Sequence, residues 1–291
     1  LKSSFTPNLG GDAKIDQNTF LLEPVSAENL VNNRNSRNFW CNVKGIGSWS
    51  LTGHSAEELS KKFTEMQDDS EVTAGFMWQK TTRESKKYQL RGEILSFIPV
   101  DKNVEIMLVT ITNTGRMAQT VTPTAAIPLY GRSADNIRDH RHVTSLLHRI
   151  ETTDTGVLVT PTLSFDERGH QVNHMTYYCV GWSGNGEKPV DFYPTAEDFV
   201  GEGGNFERPY AIVKNAEGVK AGTKIEGLEA VGGLHFSEIT LEPEEECSYL
   251  IFTGITEDIQ EIRNLSKTYT TREKVLEELE KTKAYWQEKV N

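Results

Sequence analysis

The feature that most constrains the fold is a succession of short β-rich segments separated by turn residues. Five of them stand out, at 104–113, 156–160, 174–181, 237–241 and 247–254. Apolar and β-branched residues partly alternate with polar ones in these segments, and turns rich in Gly, Asn and Pro follow at short intervals. The pattern predicts a mostly β protein, built as a large antiparallel β-sandwich.

Length and composition narrow the class of protein. The 291 residues are 36% hydrophobic and 25% charged, which predicts a folded chain with a core large enough for one big all-β domain. The net charge of -11 argues against sequence-independent binding to nucleic acid or to anionic membranes, because both require a positive face. No run approaches the roughly 20 apolar residues that a membrane span needs.

Cysteine usage indicates a reducing compartment. The three cysteines, Cys41, Cys179 and Cys247, are far apart and include no Cys-x-x-Cys pair. A disulfide framework and a structural zinc site are therefore not expected. We expect a cytoplasmic protein.

Helix signals are few until the C-terminal end. Ser55, with Glu58 three residues later, predicts a short helix over residues 55–64. Thr256 is placed to cap a helix that runs to about residue 269, and Thr271 to cap a second one over Arg272–Val290. We therefore expect a sandwich over residues 1–255, followed by a helical linker over residues 256–291.

The last predicted helix carries an apolar stripe. Val275, Leu279, Trp286 and Val290 recur at helical spacing beside Leu276. Such a stripe requires a partner surface. We expect that partner to be a following domain.

A dense polar cluster follows an apolar, strand-like stretch in the middle of the chain. Its members are Arg132, Asp135, Asn136, Arg138, Asp139, His140, Arg141 and His142. Ordering so many charges is costly unless they pair with one another or with a ligand. The cluster therefore predicts either a loop that binds sugar hydroxyls, phosphate or a partner's carboxylates, or a salt-bridge network that fixes a loop.

Two other stretches bear on catalysis. Asp166 and Glu167 are adjacent, but neighbouring residues on a strand point to opposite faces, whereas a two-carboxylate glycosidase needs groups that face each other across a sugar. A charged turn is favoured there. The run Gly201-Glu-Gly-Gly204 lacks the Lys-Ser/Thr of a phosphate-binding loop, so we predict a tight turn that presents Glu202.

Histidine and aromatic residues give weaker signals. His140 and His142, and His170 and His174, have spacings found in metal sites, but their surroundings are typical of loops and strands, so we expect no metal. The candidate residues for stacking on a sugar are Trp49, Trp78 and Trp182. Aromatic rings stack on sugars, but more often they fill sandwich cores.

Four motifs together resemble one family. They lie at 122–136, 139–149, 161–170 and 199–204, and they look like the N-terminal β-sandwich region of 1,2-β-oligoglucan phosphorylases of glycoside hydrolase family 94. Cellobiose and cellodextrin phosphorylases and cyclic β-1,2-glucan synthases are relatives. The resemblance covers roughly residues 35–290, and it implies a sandwich of the galactose-mutarotase-like type.

The resemblance implies a reaction as well as a fold. In such enzymes inorganic phosphate attacks the anomeric carbon of the non-reducing-end glucose with inversion, giving α-glucose 1-phosphate and a shortened glucan. The general acid is an Asp of an (α/α)6 barrel that follows the linker, and no cofactor is expected. By resemblance, this domain helps to wall the active site and takes part in homodimer contacts, with the Arg132–His142 loop as the candidate for either role.

Two other functions remain open on sequence alone. A self-standing carbohydrate-binding module would bind β-glucans through Trp49, Trp78 or Trp182. A mutarotase- or lyase-type enzyme would use His140 or His142 as base, with a Glu as partner.

Overall fold

The computed structural model describes residues 1–25, 36–137, 141–166 and 169–290. These ranges contain twenty β-strands, and their bounds in chain order are β1 Lys2–Ser3, β2 Ala13–Asp16, β3 Thr19–Leu22, β4 Asn38–Val43, β5 Gly47–Ser50, β6 Asp69–Gly75, β7 Trp78–Ser85, β8 Leu90–Phe97, β9 Val104–Asn113, β10 Gln119–Leu129, β11 Arg149–Thr152, β12 Gly156–Val159, β13 Leu163–Asp166, β14 Gly169–Val172, β15 Thr176–Ser183, β16 Asp191–Thr195, β17 Lys224–Glu226, β18 Ala230–His235, β19 Ile239–Leu241 and β20 Glu246–Thr256.

The helices are short except at the C-terminal end. Their bounds are α1 Ala56–Ser60, α2 Arg141–Ser145, α3 Ala196–Val200, α4 Tyr210–Lys214, α5 Ile259–Thr268 and α6 Arg272–Val290, with a 3₁₀ helix at Ala134–Ile137. Within the described ranges, every helix is too short or too polar to cross a lipid bilayer.

Two antiparallel sheets form the sandwich. The larger has nine strands in the order β17-β11-β12-β15-β20-β9-β8-β7-β6, and the smaller has the order β16-β18-β10-β4-β5 with β19 also paired to β10. A three-stranded sheet, β1-β2-β3, and the hairpin β13-β14 complete the set. The predicted large antiparallel sandwich is confirmed.

The central strand β9 shows how the sequence specifies the layers. All ten of its residues are buried, because the sheet is covered on both faces. Met107 and Val109 point into the core between the two sheets. Ile106 and Leu108 point to the opposite face, where they pack under the C-terminal helices. Alternation with period two thus supplies two cores from one strand.

Helices cover both outer faces of the sandwich. Ile262, Leu265, Val275 and Leu279 of α5 and α6 pack on the nine-stranded sheet, and α3 and α4 cover the outer face of the six-stranded sheet. The layers therefore run helix, sheet, sheet, helix. The expectation that the α6 stripe is left for another domain is wrong for its first half, since the sandwich itself covers Val275 and Leu279.

Of the predicted helix starts, one cap and one pair of bounds are confirmed, and one cap is wrong. Ser55 accepts a hydrogen bond from the Glu58 backbone amide and begins α1. The helix Arg272–Val290 has the predicted bounds. Thr256 is not the cap of α5; Asp258 caps it by accepting from the Gln260 amide at 2.9 Å, while Thr256 is still the last residue of β20.

A buried ion pair joins the N-terminal segment to the sandwich. Nε and Nη2 of Arg37 donate to the two carboxylate oxygens of Glu105 at 2.6 and 2.9 Å. Nη1 also donates to the Gly11 carbonyl at 2.9 Å, and the Ser3 hydroxyl donates to Glu105 at 2.6 Å. The bidentate geometry and the extra hydrogen bonds compensate the desolvation of both charges.

The three cysteines belong to the interior. Cys41 and Cys179 are fully buried in the central core, and Cys247 is partly buried against it. Burial is the main cause of the raised pKa of all three thiols, which reaches about 12 for Cys247. All three are free thiols.

Candidate functional site

The Arg132 cluster lies at one end of the six-stranded sheet. Leu129, the last residue of β10, pairs with Ala230, the first of β18. The chain just beyond β10 therefore meets the chain just before β18. There Nη2 of Arg132 donates to Oε2 of Glu229 at 2.9 Å.

Arg132 is a buried anchor for the loop. Only 3% of it is exposed, and its guanidinium lies 5.1 Å from the centre of the Tyr130 ring. Its backbone carbonyl accepts from the Phe20 amide of β3 at 3.0 Å. Nε and Nη1 are buried and have no hydrogen-bond partner within the described residues. Arg132 thus fixes the base of the loop from inside.

His148 lies beneath the same loop, and the sequence alone did not indicate it as a site residue. It is fully buried, and its Nδ1 is 3.2 Å from the Leu228 carbonyl, so Nδ1 carries the proton. Burial, and then the charge of Arg132, lower its pKa to about 3. The imidazole is therefore neutral at physiological pH.

The next residues of the cluster fold back on the anchor. The Ser133 hydroxyl donates to the Phe165 carbonyl at 2.5 Å, which joins the loop to the hairpin β13-β14. Asn136 is 5% exposed and its Oδ1 is 3.4 Å from the Ser133 hydroxyl. Asp135, between them, is exposed. The loop thus presents a carboxylate to solvent from a fixed backbone.

The structure describes only part of the remaining cluster. Arg138, Asp139 and His140 lie outside the described residues. Arg141 and His142 form the first turn of α2, which ends at Ser145. In the sequence, these two residues therefore lie between the loop and β11, a few positions before His148.

A small pocket next to the anchor reaches the first residue of α3, the helix that precedes the Glu202 turn. Glu23, Tyr130 and Glu229 line it together with Ala196, the first residue of α3. Helix α3 is five residues long, so the turn after it begins roughly 8 Å further on. Carboxylates from two separate parts of the chain, Glu23 and Glu229, thus line this pocket at one end of the sandwich.

The Gly201–Gly204 segment is the predicted tight turn. Gly201 ends α3 with φ of 73°, and the Gly204 amide donates to the Gly201 carbonyl at 3.1 Å. Glu202 is exposed, and it has no hydrogen bond or ion pair to any described residue. Its carboxylate is available to a ligand or to another chain.

The hairpin β13-β14 brings two of the other candidates, Asp166 and His170, next to the loop. Asp166 ends β13, and Glu167 lies outside the described residues. His170 lies on β14 with its ring 4.1 Å from that of Phe165, and His174 follows in a loop, so neither is on a helix. Across the described residues, no three His, Cys, Asp or Glu side chains converge as a metal site requires.

Two of the three candidate tryptophans fill cores. Trp49 is 3% exposed in the central core, and Trp182 is 4% exposed under α5 and α6, where its indole N–H donates to the Tyr269 carbonyl at 3.0 Å. Trp78 is partly buried, with Lys283 lying 4.6 Å from its ring centre. Neither Trp49 nor Trp182 offers a ring face to a sugar.

Parts of three larger solved proteins match this chain. A bacterial glucoamylase in complex with acarbose is 9% identical, with a TM-score of 0.47, over 96% of this chain and 32% of the glucoamylase. A polysaccharide lyase is 11% identical, with a TM-score of 0.43, over 90% of this chain and 33% of the lyase. A protein from the human microbiome named as a kojibiose phosphorylase is 9% identical, with a TM-score of 0.38, over 87% of this chain and 28% of that protein. The chain spans about a third of the length of these proteins.

A search of curated proteins finds no match. The family model of the glycosyl hydrolase 94 supersandwich domain matches residues 22–272, which include both sheets of the sandwich and the Arg132 loop. The chain therefore belongs to the supersandwich-domain family of glycosyl hydrolase 94.

Proposed function

We propose that this chain is the N-terminal, non-catalytic domain of an inverting β-1,2-glucan phosphorylase. The whole enzyme would convert a glucan and inorganic phosphate into α-glucose 1-phosphate and a shortened glucan, in the cytoplasm and as a homodimer. The observation that carries the proposal is the family match over residues 22–272. The four motifs that resemble 1,2-β-oligoglucan phosphorylases support the choice of substrate.

The proposal gives the two acidic turns a part in sugar binding. Asp135 and Glu202 are exposed, and both follow elements anchored at the same end of the sandwich. Carboxylates accept hydrogen bonds from sugar hydroxyls but repel phosphate. We therefore assign the two residues to the glucan, as part of the active-site wall.

The basic residues of the cluster have the complementary role. Arg138, His140, Arg141 and His142 supply the type of donor that binds an anion, and we assign them to the phosphate side of the wall or to the homodimer contact. Asp139 is a carboxylate that would repel phosphate, so we assign it to the homodimer contact. Arg132 and Asn136 are buried, so they support the wall from behind. In this proposal the general acid belongs to a following (α/α)6 domain, and this chain alone does not turn over substrate.

The geometry disfavours a self-standing carbohydrate-binding module. Two of the three tryptophans proposed for it, Trp49 and Trp182, lie in cores. A stacking platform needs an open ring face. The module therefore lacks its main binding residues.

The first experiment compares two proteins for phosphate-dependent release of glucose 1-phosphate from β-1,2-gluco-oligosaccharides. One is the 291-residue chain, and the other continues through the domain that follows it in the gene. We expect activity only in the longer protein. Turnover by the 291-residue chain would overturn the proposal and make His142 and the nearby carboxylates the candidate catalytic residues.

A second experiment tests the wall in the longer protein. Glu202→Gln and Asp135→Asn should each raise KM for the oligosaccharide about tenfold, the cost of one charge-assisted hydrogen bond. Glu238→Gln is the matched control, since its exposed carboxylate pairs with Lys44 on a different loop. Unchanged KM in both variants would exclude these two turns from the wall.

A further inference from the structure

One edge of the nine-stranded sheet is open along its whole length. Strand β6, Asp69–Gly75, is the last strand of the sheet, and all seven of its residues are exposed. Among the described residues it pairs only with β7, in an unbroken register from Asp69–Glu84 to Gly75–Trp78. An edge strand of this kind displays backbone N–H and C=O groups that are ready to pair with another strand.

The hairpin register shows which backbone groups face outward. Only two residues separate Gly75 from Trp78, and a two-residue loop closes on a hydrogen-bonded pair. Hydrogen-bonded pairs alternate along the ladder, so Gly75, Thr73, Glu71 and Asp69 use their backbone groups on β7. The list of residues with outward N–H and C=O groups is then Ser70, Val72 and Ala74.

Large apolar side chains are exposed at both ends of this strand. Before it, Phe63 is 91% exposed and Met66 is 74% exposed; after it, Phe76 and Met77 are 56% and 50% exposed. Phe63 is held with φ of 67°, a conformation that is uncommon for a bulky residue. Exposed apolar groups clustered in this way indicate an interaction surface.

We propose that β6 pairs antiparallel with β6 of a second copy of this chain, about a two-fold axis at Val72. This pairing would extend the nine-stranded sheet into a continuous sheet across two molecules, with about six backbone hydrogen bonds between the copies. Antiparallel pairing also brings the apolar tip at Phe76 and Met77 against the apolar loop at Phe63 and Met66 of the other copy, twice. Each exposed patch of one molecule is thus covered by the other patch of the second copy.

The charges along the strand suit this register. Around Val72, Glu71 lies opposite Thr73 and Asp69 lies opposite Gly75, so no two carboxylates face each other directly. The two Glu71 residues are diagonal neighbours, at about 7–8 Å. We therefore expect added salt to strengthen the pair by screening this repulsion and the net charge of -11 on each chain.

The surface is separate from the proposed active-site wall. It lies at the edge of the nine-stranded sheet, whereas the Arg132 loop lies at the end of the six-stranded sheet. The inference therefore stands without the proposed phosphorylase function. A homodimer formed through the Arg132 loop would be insensitive to changes at Val72.

The test is sedimentation velocity of the 291-residue chain over concentrations up to roughly 100 µM. We expect a reversible dimer, and Val72→Pro should raise its dissociation constant at least about tenfold. Proline removes the outward N–H at the two-fold axis and leaves the bonds to β7 in place, so the fold is retained. Val72→Lys, which sets two like charges against each other, should act in the same direction, whereas Met117→Lys, at another exposed apolar residue, should have no effect.

Cross-linking gives a positive signal for the register. Paired Cα atoms across a hydrogen-bonded antiparallel pair are about 5.5 Å apart, within the range for a disulfide. Val72→Cys should therefore form a covalent dimer on mild oxidation, and Met117→Cys should not. A monomer at every concentration, or a dimer that is equally tight in Val72→Pro and Val72→Lys, would overturn the proposal.

Discussion

Two arginine–glutamate pairs, each with a buried arginine, hold two different parts of this molecule, and their surroundings differ. Arg37 and Glu105 are 0% and 1% exposed and make a bidentate pair with further hydrogen bonds on both sides. Arg132 is equally buried, but it makes one hydrogen bond to Glu229, whose side chain is 26% exposed. The first pair is enclosed, whereas the second opens toward the end of the sandwich.

The difference teaches what each pair is for. An enclosed, fully bonded pair fixes one arrangement of the chain, because any alternative leaves a charge without solvent or partner. A pair with spare donors at a rim can hold a loop and still respond to what binds beside it. The comparison predicts that the two arginines differ in their effect on stability.

The largest effect is expected from Arg37→Ala. It leaves the Glu105 carboxylate buried, and among the described residues the Ser3 hydroxyl is then its one remaining side-chain donor. Breaking such a pair from one side costs about 3–5 kcal/mol. The free energy of unfolding, measured by urea titration, should fall by this amount; a loss under about 1 kcal/mol would show that water replaces the guanidinium and that the pair is not enclosed.

Arg132→Ala should cost less, about 1–3 kcal/mol, because Glu229 regains solvent. The same urea titration measures it. Arg132→Lys, which keeps the charge but loses the flat fork of donors, should recover part of the loss. An effect as large as that of Arg37→Ala would remove the distinction between the two pairs.

A smaller effect is expected from His148, beside Arg132, which should make the free energy of unfolding depend on pH. Its folded pKa is about 3, below the unfolded value near 6.5, so the unfolded chain binds the extra proton as pH falls through 6.5. The stability that neutral His148 contributes is present above pH 6.5 and is lost toward pH 3. Between pH 7 and pH 6 the loss is on the order of 0.7 kcal/mol.

The control for this prediction is the residue that causes part of the shift. Arg132 lowers the pKa of His148 less than burial does, so Arg132→Ala should leave the slope that His148 contributes between pH 7 and pH 5 nearly unchanged and flatten it only at lower pH. His148→Gln should remove it. Identical slopes in the wild-type chain and in His148→Gln, measured as urea midpoints between pH 7 and pH 5, would contradict the assignment.

Much of the fold follows from local sequence. The strand Val104–Asn113 was predictable to the residue, because alternation, β-branching and the turn after it are all local signals. The bounds of α6 follow in the same way from its capping position and charge pattern. Thr256 misled because Asp258, two residues later, offers a better capping side chain.

The site could be predicted only in part. The Gly201–Gly204 turn and the polar loop after β10 are visible in the sequence, since glycine and clustered charge are local features. The partner of Arg132 is not visible: Glu229 is 97 positions away and lies in an ordinary turn before β18. His148 likewise becomes notable only when burial and the Arg132 charge act on it together.

The placement of the cysteines allows the opening of each sheet to be followed by the reactivity of its own buried thiol. Because thiolates are the reactive form, buried thiols with raised pKa values react with alkylating reagents only when the structure opens around them. Cys41 lies on β4 of the six-stranded sheet and Cys179 on β15 of the nine-stranded sheet. The alkylation rates of these two native cysteines would therefore measure the opening of the two sheets separately, with no engineered residue. Equal rates would mean that the two layers separate in a single event.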